Sequence, residues 1–103
     1  MNNVKHFEDL WQACEKFHQE EGKNESDTQS ILDAFAMKVN LYRMVDSNSD
    51  LDKEDTEKAK SRLFGEILLT LTNLSLKDNV NVFDALAVAY RHHTINSYSK
   101  KYE

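Results

Sequence analysis

The sequence predicts an all-α fold, a four-helix, bundle-like single domain over residues 1–103. The chain has no proline and two glycines, whereas an all-β fold usually needs turn residues at every hairpin. Apolar side chains recur at spacings of three and four, which is the period of one helix face. A chain of 103 residues is close to the modal length of one domain and is long enough to bury a core.

Composition excludes several function classes. Thirteen Lys and Arg against eighteen Asp and Glu give a net charge of -5, which argues against a nucleic-acid binder that relies on phosphate neutralisation. No apolar run approaches the roughly 18 residues of a membrane span, and the first residues do not resemble a signal peptide. We therefore expect a cytoplasmic protein. Cys14 is the only cysteine, which excludes an internal disulfide and a cysteine-based zinc cluster.

Apolar stripes and capping patterns predict where the first helix ends and where the second helix begins. The first helix is predicted to end near Glu21, because Gly22 suits the left-handed position after a helix. Its apolar stripe comprises Phe7, Leu10, Trp11, Cys14, Phe17 and His18. Residues 23–27 are predicted to form a polar connection. Ser26 with Gln29 is a capping-box pattern that predicts the start of the second helix.

The second helix is apolar around nearly its whole circumference. Between Ile31 and Val45 the apolar side chains do not form a single stripe. A helix of this kind must be covered on more than one side, and a four-helix chain of this size offers few neighbours. We therefore predict a homodimer with the second helix at or near the interface. The sequence leaves open whether two such dimers associate into a dimer of dimers.

The third and fourth helices follow a polar stretch at residues 46–55. Asp50 or Asp52 is the predicted cap of the third helix, whose core face comprises Leu63, Phe64, Ile67, Leu68, Leu71 and Leu74. The opposite face is predicted to be polar and comprises Arg62, Glu66, Thr70, Asn73 and Lys77. Asn81 with Asp84 predicts the start of the last helix, which is expected to fray after Tyr98.

Two pairs of side chains are considered as metal ligands. Cys14 and His18 share a helix face, but two ligands on one helix do not complete a site. The favoured interpretation is a buried cysteine beside a hydrogen-bonded histidine. His92 and His93 diverge by about 100° on a helix, which favours surface or dimer-edge histidines. A phosphate contact by one of them is the alternative.

Glu66 is the candidate metal ligand on the third helix. It follows Gly65, and glycine inside a helix costs about 1 kcal/mol relative to alanine, so a packing or site reason is expected. Without a Cβ, another helix or a ligand can approach closely, and Glu66 would then offer an oxygen ligand to Mg²⁺. The alternative, which the sequence alone favours, is an ordinary ion pair with Arg62 one turn earlier.

Three segments together resemble the MazG-like all-α nucleoside triphosphate pyrophosphatases. They are residues 63–71, residues 79–86 and the basic, aromatic last helix. The Phe17-His18 pair in the first helix is similar to a pair in some members. The resemblance covers most of the chain and implies a MazG-like domain. It also implies Mg²⁺-dependent hydrolysis of a nucleoside triphosphate to the monophosphate and pyrophosphate.

The metal-binding positions of that family are changed in this chain. Active members carry an E-E-x-x-E motif on the second helix, where residues 37–41 contain no acid. Of the E-x-x-D pair, Glu66 stands at the Asp position and Leu63 at the Glu position. Asp33 and Glu15 are the nearby acids that remain as substitutes. Magnesium ions neutralise phosphates and activate water in such chemistry, so we expect no normal metal cluster.

The resemblance also implies three ligand-binding positions. Asn81 stands where the family often has Asp before the last helix. His92 and Asn96 correspond to a K-x-x-x-N pattern only with a shift of about one helical turn.

Three functions remain open at this point. The first is a MazG-like module that has lost catalysis and acts in nucleotide or phosphate binding or in assembly. The second is a divergent, Mg²⁺-dependent pyrophosphatase in which Glu66 binds the metal. The third is an unrelated helical protein-interaction module. The missing acids at residues 37–41 favour the first over the second, and Gly65-Glu66 with the spacing to Asn81 favours it over the third.

Overall fold

Four helices make up the part of the chain that the structure describes. The computed structural model describes the backbone of residues 2–21 and 27–101, and the side chains of residues 5–21 and 27–95. The helices are α1 (Asn2–Glu20), α2 (Thr28–Ser47), α3 (Lys53–Lys77) and α4 (Val82–Lys101). The predicted all-α class and the number of helices are confirmed.

Aspartate side chains cap the starts of α2 and α3. Asp27 accepts a hydrogen bond from the backbone N–H of Ser30 at 2.7 Å, and this bond lowers the pKa of the Asp27 carboxyl. The prediction of Ser26 as the cap is wrong by one residue, because α2 begins at Thr28; Ser26 itself and Gly22 lie outside the described residues. Of the two predicted caps of α3, the structure selects Asp52.

An asparagine with a left-handed backbone conformation, Asn79, lies between α3 and α4. Asn79 has a φ of 57°, a conformation that asparagine tolerates better than most residues. The N–H of Val80 donates to Ser75 O at 2.9 Å and that of Asn79 to Leu76 O at 3.4 Å, which is the Schellman pattern. The predicted cap of the last helix is confirmed, since Asn81 Oδ1 accepts from the N–H of Asp84 at 3.1 Å.

Helices α2 and α3 form an antiparallel hairpin. Three side-chain pairs tie the helices together along their length, in reverse sequence order: Thr28 with Asp78, Lys38 with Thr70, and Asp46 with Lys60. The hydrogen bond to the Asp46 carboxylate raises the pKa of Lys60. Helix α1 packs on α3 through its buried Trp11 and His18 side chains.

The packing of α3 differs from the predicted division into an apolar and a polar face. Phe64, predicted in the core, is 56% exposed, whereas Thr70 from the predicted polar face is buried. Thr72 and Ser75 are buried as well, with hydroxyls that donate to backbone oxygens one turn earlier. The reason is that α3 lies between α1 and α2 and is covered on two sides.

Helix α4 has little contact with the rest of the described chain. Its Phe83 ring lies 6.2 Å from the rings of Phe7 and Trp11, at the first turn of the helix. Over residues 84–95 every side chain except that of Thr94 is exposed. The Cα radius of gyration is 16.9 Å, compared with about 13 Å for a compact domain of this length.

Candidate functional site

A polar cleft opens where α1, α2 and α3 meet. Its volume is about 340 Å³, and its polar lining comes from all three helices: His18, Ser30, Lys38, Glu66, Thr70 and Asn73. The antiparallel register of α2 and α3 brings Lys38 opposite the Glu66–Thr70 turn. The cleft is thus a direct consequence of the hairpin.

Lys38 forms the charged centre of the cleft. Its Nζ donates to Thr70 Oγ1 at 2.6 Å and lies 3.4 Å from Glu66 Oε1. Thr70 in turn donates its hydroxyl to the backbone oxygen of Glu66 at 2.9 Å. An ammonium group therefore neutralises the carboxylate that the sequence proposed as a metal ligand. The alternative Arg62–Glu66 pair is not the one observed, because the neighbouring helix supplies Lys38.

His18 is held at the junction of α1 and α3. Its Nε2 donates to Leu69 O at 3.0 Å and to Thr72 Oγ1 at 2.9 Å, while the Thr72 hydroxyl donates to the same Leu69 oxygen at 2.6 Å. A carbonyl oxygen only accepts, so Nε2 carries the proton. The favoured interpretation of His18 as a hydrogen-bonded histidine is confirmed. Cys14 is half-buried.

Two side-chain atoms beside this network have no hydrogen-bond partner among the described residues. They are Nδ1 of His18 and Oδ1 of Asn73, and both are buried. Buried polar atoms are normally hydrogen-bonded. Each atom has almost no accessible surface, so a molecule in the cleft reaches neither of them without a side-chain movement.

The other predicted site residues are spread over the surface. Asp33 is exposed on α2 and does not line the polar cleft. Asn81 lines a second cleft of about 320 Å³, to which Glu15 also contributes. His92 is exposed on α4, with its ring 5.6 Å from that of His93, and the side chain of Asn96 lies outside the described residues. The structure therefore joins Glu66 to Lys38, and places Asn81 in a different cleft.

The polar residues around Glu66 were assigned no site role by the sequence. Thr70 and Asn73 share the predicted polar face of α3 with Glu66. Lys38 lies on α2, so its approach to them depends on the register between the two helices. The signal available was the spacing of Glu66, Thr70 and Asn73 on one face of α3. Within the described ranges, no three His, Cys, Asp or Glu side chains are grouped as metal ligands would be.

Large apolar side chains are exposed on every helix. On α2 they include Met37, Leu41 and Met44, which follow one another at helical spacing. On α4 they are Leu86, Val88, Tyr90 and Ile95. The buried apolar side chains in the described part of the chain are Trp11, Ile31 and Leu63. The surface thus holds more large apolar groups than the core.

An apolar groove runs between α1 and α3. It has a volume of about 240 Å³ and is lined by Phe7, Leu10, Trp11, Cys14, Gly65, Leu68, Leu69 and Thr72. A Cβ built on Gly65 would meet nothing within 4 Å. The expected close approach of a helix or ligand at Gly65 is therefore not found within the described protomer. We call this space the Gly65 groove.

Comparisons with known proteins give no relative for this arrangement. No family model, curated protein or solved structure matches the chain. None of the described helices combines the length and apolar character that a membrane crossing requires.

Proposed function

We propose that this protein is a self-assembling helical module whose protomer is completed by a second copy. One observation carries the proposal. The chain exposes 8284 Å², whereas a folded monomer of 12.0 kDa exposes about 6000 Å². The excess is about 2300 Å² per protomer, or about 4600 Å² for two copies, and obligate dimers bury roughly 2000–5000 Å² counted over both partners.

Helix α2 supplies one part of the proposed interface. One side of it faces α3 through Ile31 and Lys38, while Met37, Leu41 and Met44 lie exposed. A helix that is apolar on two sides is expected between two neighbours. This arrangement supports the homodimer through the second helix that the sequence predicts, and a dimer of dimers would need a second interface on each protomer.

The resemblance to the MazG-like pyrophosphatases enters here as part of the proposal. We infer a MazG-like bundle that has exchanged catalysis for assembly. The Lys38 ammonium beside Glu66 supports this inference, since a cation already occupies the neighbourhood of the carboxylate. Mg²⁺ would have to displace it to reach Glu66.

The oligomeric state in solution tests the proposal. Light scattering coupled to size exclusion, from about 1 to 100 µM, is expected to give the mass of two or four chains. Met37→Glu places a charge in the proposed interface and is expected to yield monomers that keep their helical circular dichroism. Gln29→Glu adds the same charge at an exposed position on α2, outside that stripe, and is expected to leave association unchanged. A wild-type chain that stays monomeric throughout would refute the proposal.

Nucleotide or phosphate binding is the second candidate function. It rests on Lys38, whose ammonium lines the polar cleft beside the hydroxyls of Ser30 and Thr70. Thermal shift with nucleoside triphosphates, with and without Mg²⁺, measures it, because a ligand selective for the folded state raises the unfolding midpoint. Pyrophosphate release that Glu66→Gln abolishes would instead establish the divergent enzyme.

A further inference from the structure

Helix α4 carries apolar side chains that its own chain leaves uncovered. Leu86, Val88, Tyr90 and Ile95 are all exposed, Leu86 at 66% and Tyr90 at 67%. Helices in proteins obtain most of their stability from packing, not from intrinsic propensity. A helix of 20 residues that contacts its own chain chiefly through Phe83 needs a further surface to pack on.

The Gly65 groove lies close to the point where α4 leaves the core. The ring of Phe83 lies 6.2 Å from the rings of Phe7 and Trp11, and both of these residues also line the groove. The first turn of α4 is therefore anchored beside the groove, while the side chains of residues 84–95 are exposed apart from that of Thr94. The lining contains no charged side chain.

We propose that the Gly65 groove receives α4 of a second copy, and that the exchange is reciprocal. This inference rests on the proposed assembly and names the segment that joins the protomers. Exchange of one element between identical chains buries the same two surfaces twice about a two-fold axis. It would cover the apolar residues of α4 and the open space above Gly65 together, which fits the excess of exposed area described above.

The proposed exchange of α4 would explain why a glycine stands at position 65 of α3. Gly65 lowers the helix propensity of α3 by about 1 kcal/mol relative to alanine, with no contact in its own protomer that requires it. A helix packed against it from another chain approaches the α3 backbone more closely than any side chain would allow.

Disulfide cross-linking between two different variants tests the exchange. Cys14 is the only cysteine and lines the groove, so the wild type is one partner. The other is a Cys14→Ser chain with one new cysteine on α4, made in turn as Leu86→Cys, Val88→Cys, Tyr90→Cys and Ile95→Cys. Oxidation of each mixture is expected to give a covalent heterodimer, with yields that follow the helical period because disulfide geometry is strict. Cys14→Ser with Lys58→Cys, exposed on α3, is the matched control.

The outcomes separate this inference from the proposed assembly. Dimers in light scattering without any α4 cross-link above the Lys58→Cys control would overturn the exchange and leave the assembly standing. A monomeric wild type would overturn both.

Filling the groove gives an independent measurement. Gly65→Phe is expected to weaken dimerisation by about tenfold or more, and Gly65→Ala, which puts a methyl group between α3 and the incoming helix, is expected to weaken it by a smaller factor. Circular dichroism verifies that both variants keep their helices. Equal dimer affinity in Gly65→Phe and wild type would contradict the proposal.

Discussion

The ammonium group of Lys38 lies 3.4 Å from the carboxylate of Glu66, the acid that the sequence proposed first as a metal ligand. The same ammonium donates to Thr70 at 2.6 Å. The centre of the polar cleft is therefore an ion pair between Lys38 and Glu66 that is hydrogen-bonded to the Thr70 hydroxyl. Its consequences for stability and for cation binding are measurable.

Removing the charge from Lys38 should have a modest effect on stability. Lys38→Met is expected to lower the free energy of unfolding by about 1 kcal/mol, because Lys38 is partly buried and Glu66 is half-exposed. A double-mutant cycle with Glu66→Gln is expected to give a coupling of at most about 1 kcal/mol. Lys58→Met, which removes an exposed pair with Glu54, is the control and should change stability by less than about 0.5 kcal/mol. A Lys38–Glu66 coupling no larger than that of the control pair would contradict this account.

Reversing the charge at Lys38 should create a response to magnesium. Wild type is expected to show the same melting temperature with and without millimolar Mg²⁺. In Lys38→Glu two carboxylates face each other across α2 and α3, so the melting temperature should fall and Mg²⁺ should restore part of it. Lys58→Glu places a second acid near exposed Glu54 and is expected to show no such recovery. Stabilisation of wild type by Mg²⁺ would mean that Glu66 binds the cation despite Lys38.

The buried His18 side chain should contribute strongly to the packing of α1 on α3. His18→Ala is expected to cost about 2–4 kcal/mol, since it leaves a cavity and removes a buried hydrogen bond. Thr72→Val removes only the hydroxyl and is expected to cost about 1 kcal/mol, because His18 keeps its bond to Leu69 O. Chemical denaturation followed by Trp11 fluorescence measures both changes. A larger loss in Thr72→Val than in His18→Ala would contradict the assigned proton on Nε2.

The cap of α2 should lose its effect in acid. Folding lowers the pKa of Asp27, so its stabilisation is present above the ordinary carboxyl range of about pH 4 and is lost as the pH falls through the folded pKa. The difference in melting temperature between wild type and Asp27→Ala should therefore shrink below about pH 4.

The pKa of Lys60 shifts in the opposite direction to that of Asp27, so Lys60 serves as a control for the pH titration. Folding raises its pKa, so its stabilisation is present below the ordinary lysine range of about 10.4 and is lost as the pH rises through the folded pKa. The effect of Lys60→Met should persist in mild acid while the Asp46 carboxylate is ionised.

A difference in melting temperature between wild type and Asp27→Ala that grows in acid would contradict the capping bond of Asp27.

Local hydrogen bonds explain why the starts of α3 and α4 follow from the sequence. Asn81 caps the N–H of Asp84, and Asp52 caps that of Asp55, across three residues that are fixed by the chain itself. The period of three and four likewise determines the helical class. Neither requires knowledge of any neighbouring element, so both are determined by the sequence alone.

Which surfaces meet was decided only by the tertiary structure. The partnership of Lys38 with Glu66 depends on the register of α2 against α3, because an error of one turn would pair Lys38 with other residues. The burial of Thr70 and the exposure of Phe64 likewise depend on α3 lying between α1 and α2. Helical periodicity identifies a face but does not name the neighbour that covers it, and the open space at Gly65 is visible only once the helices are placed.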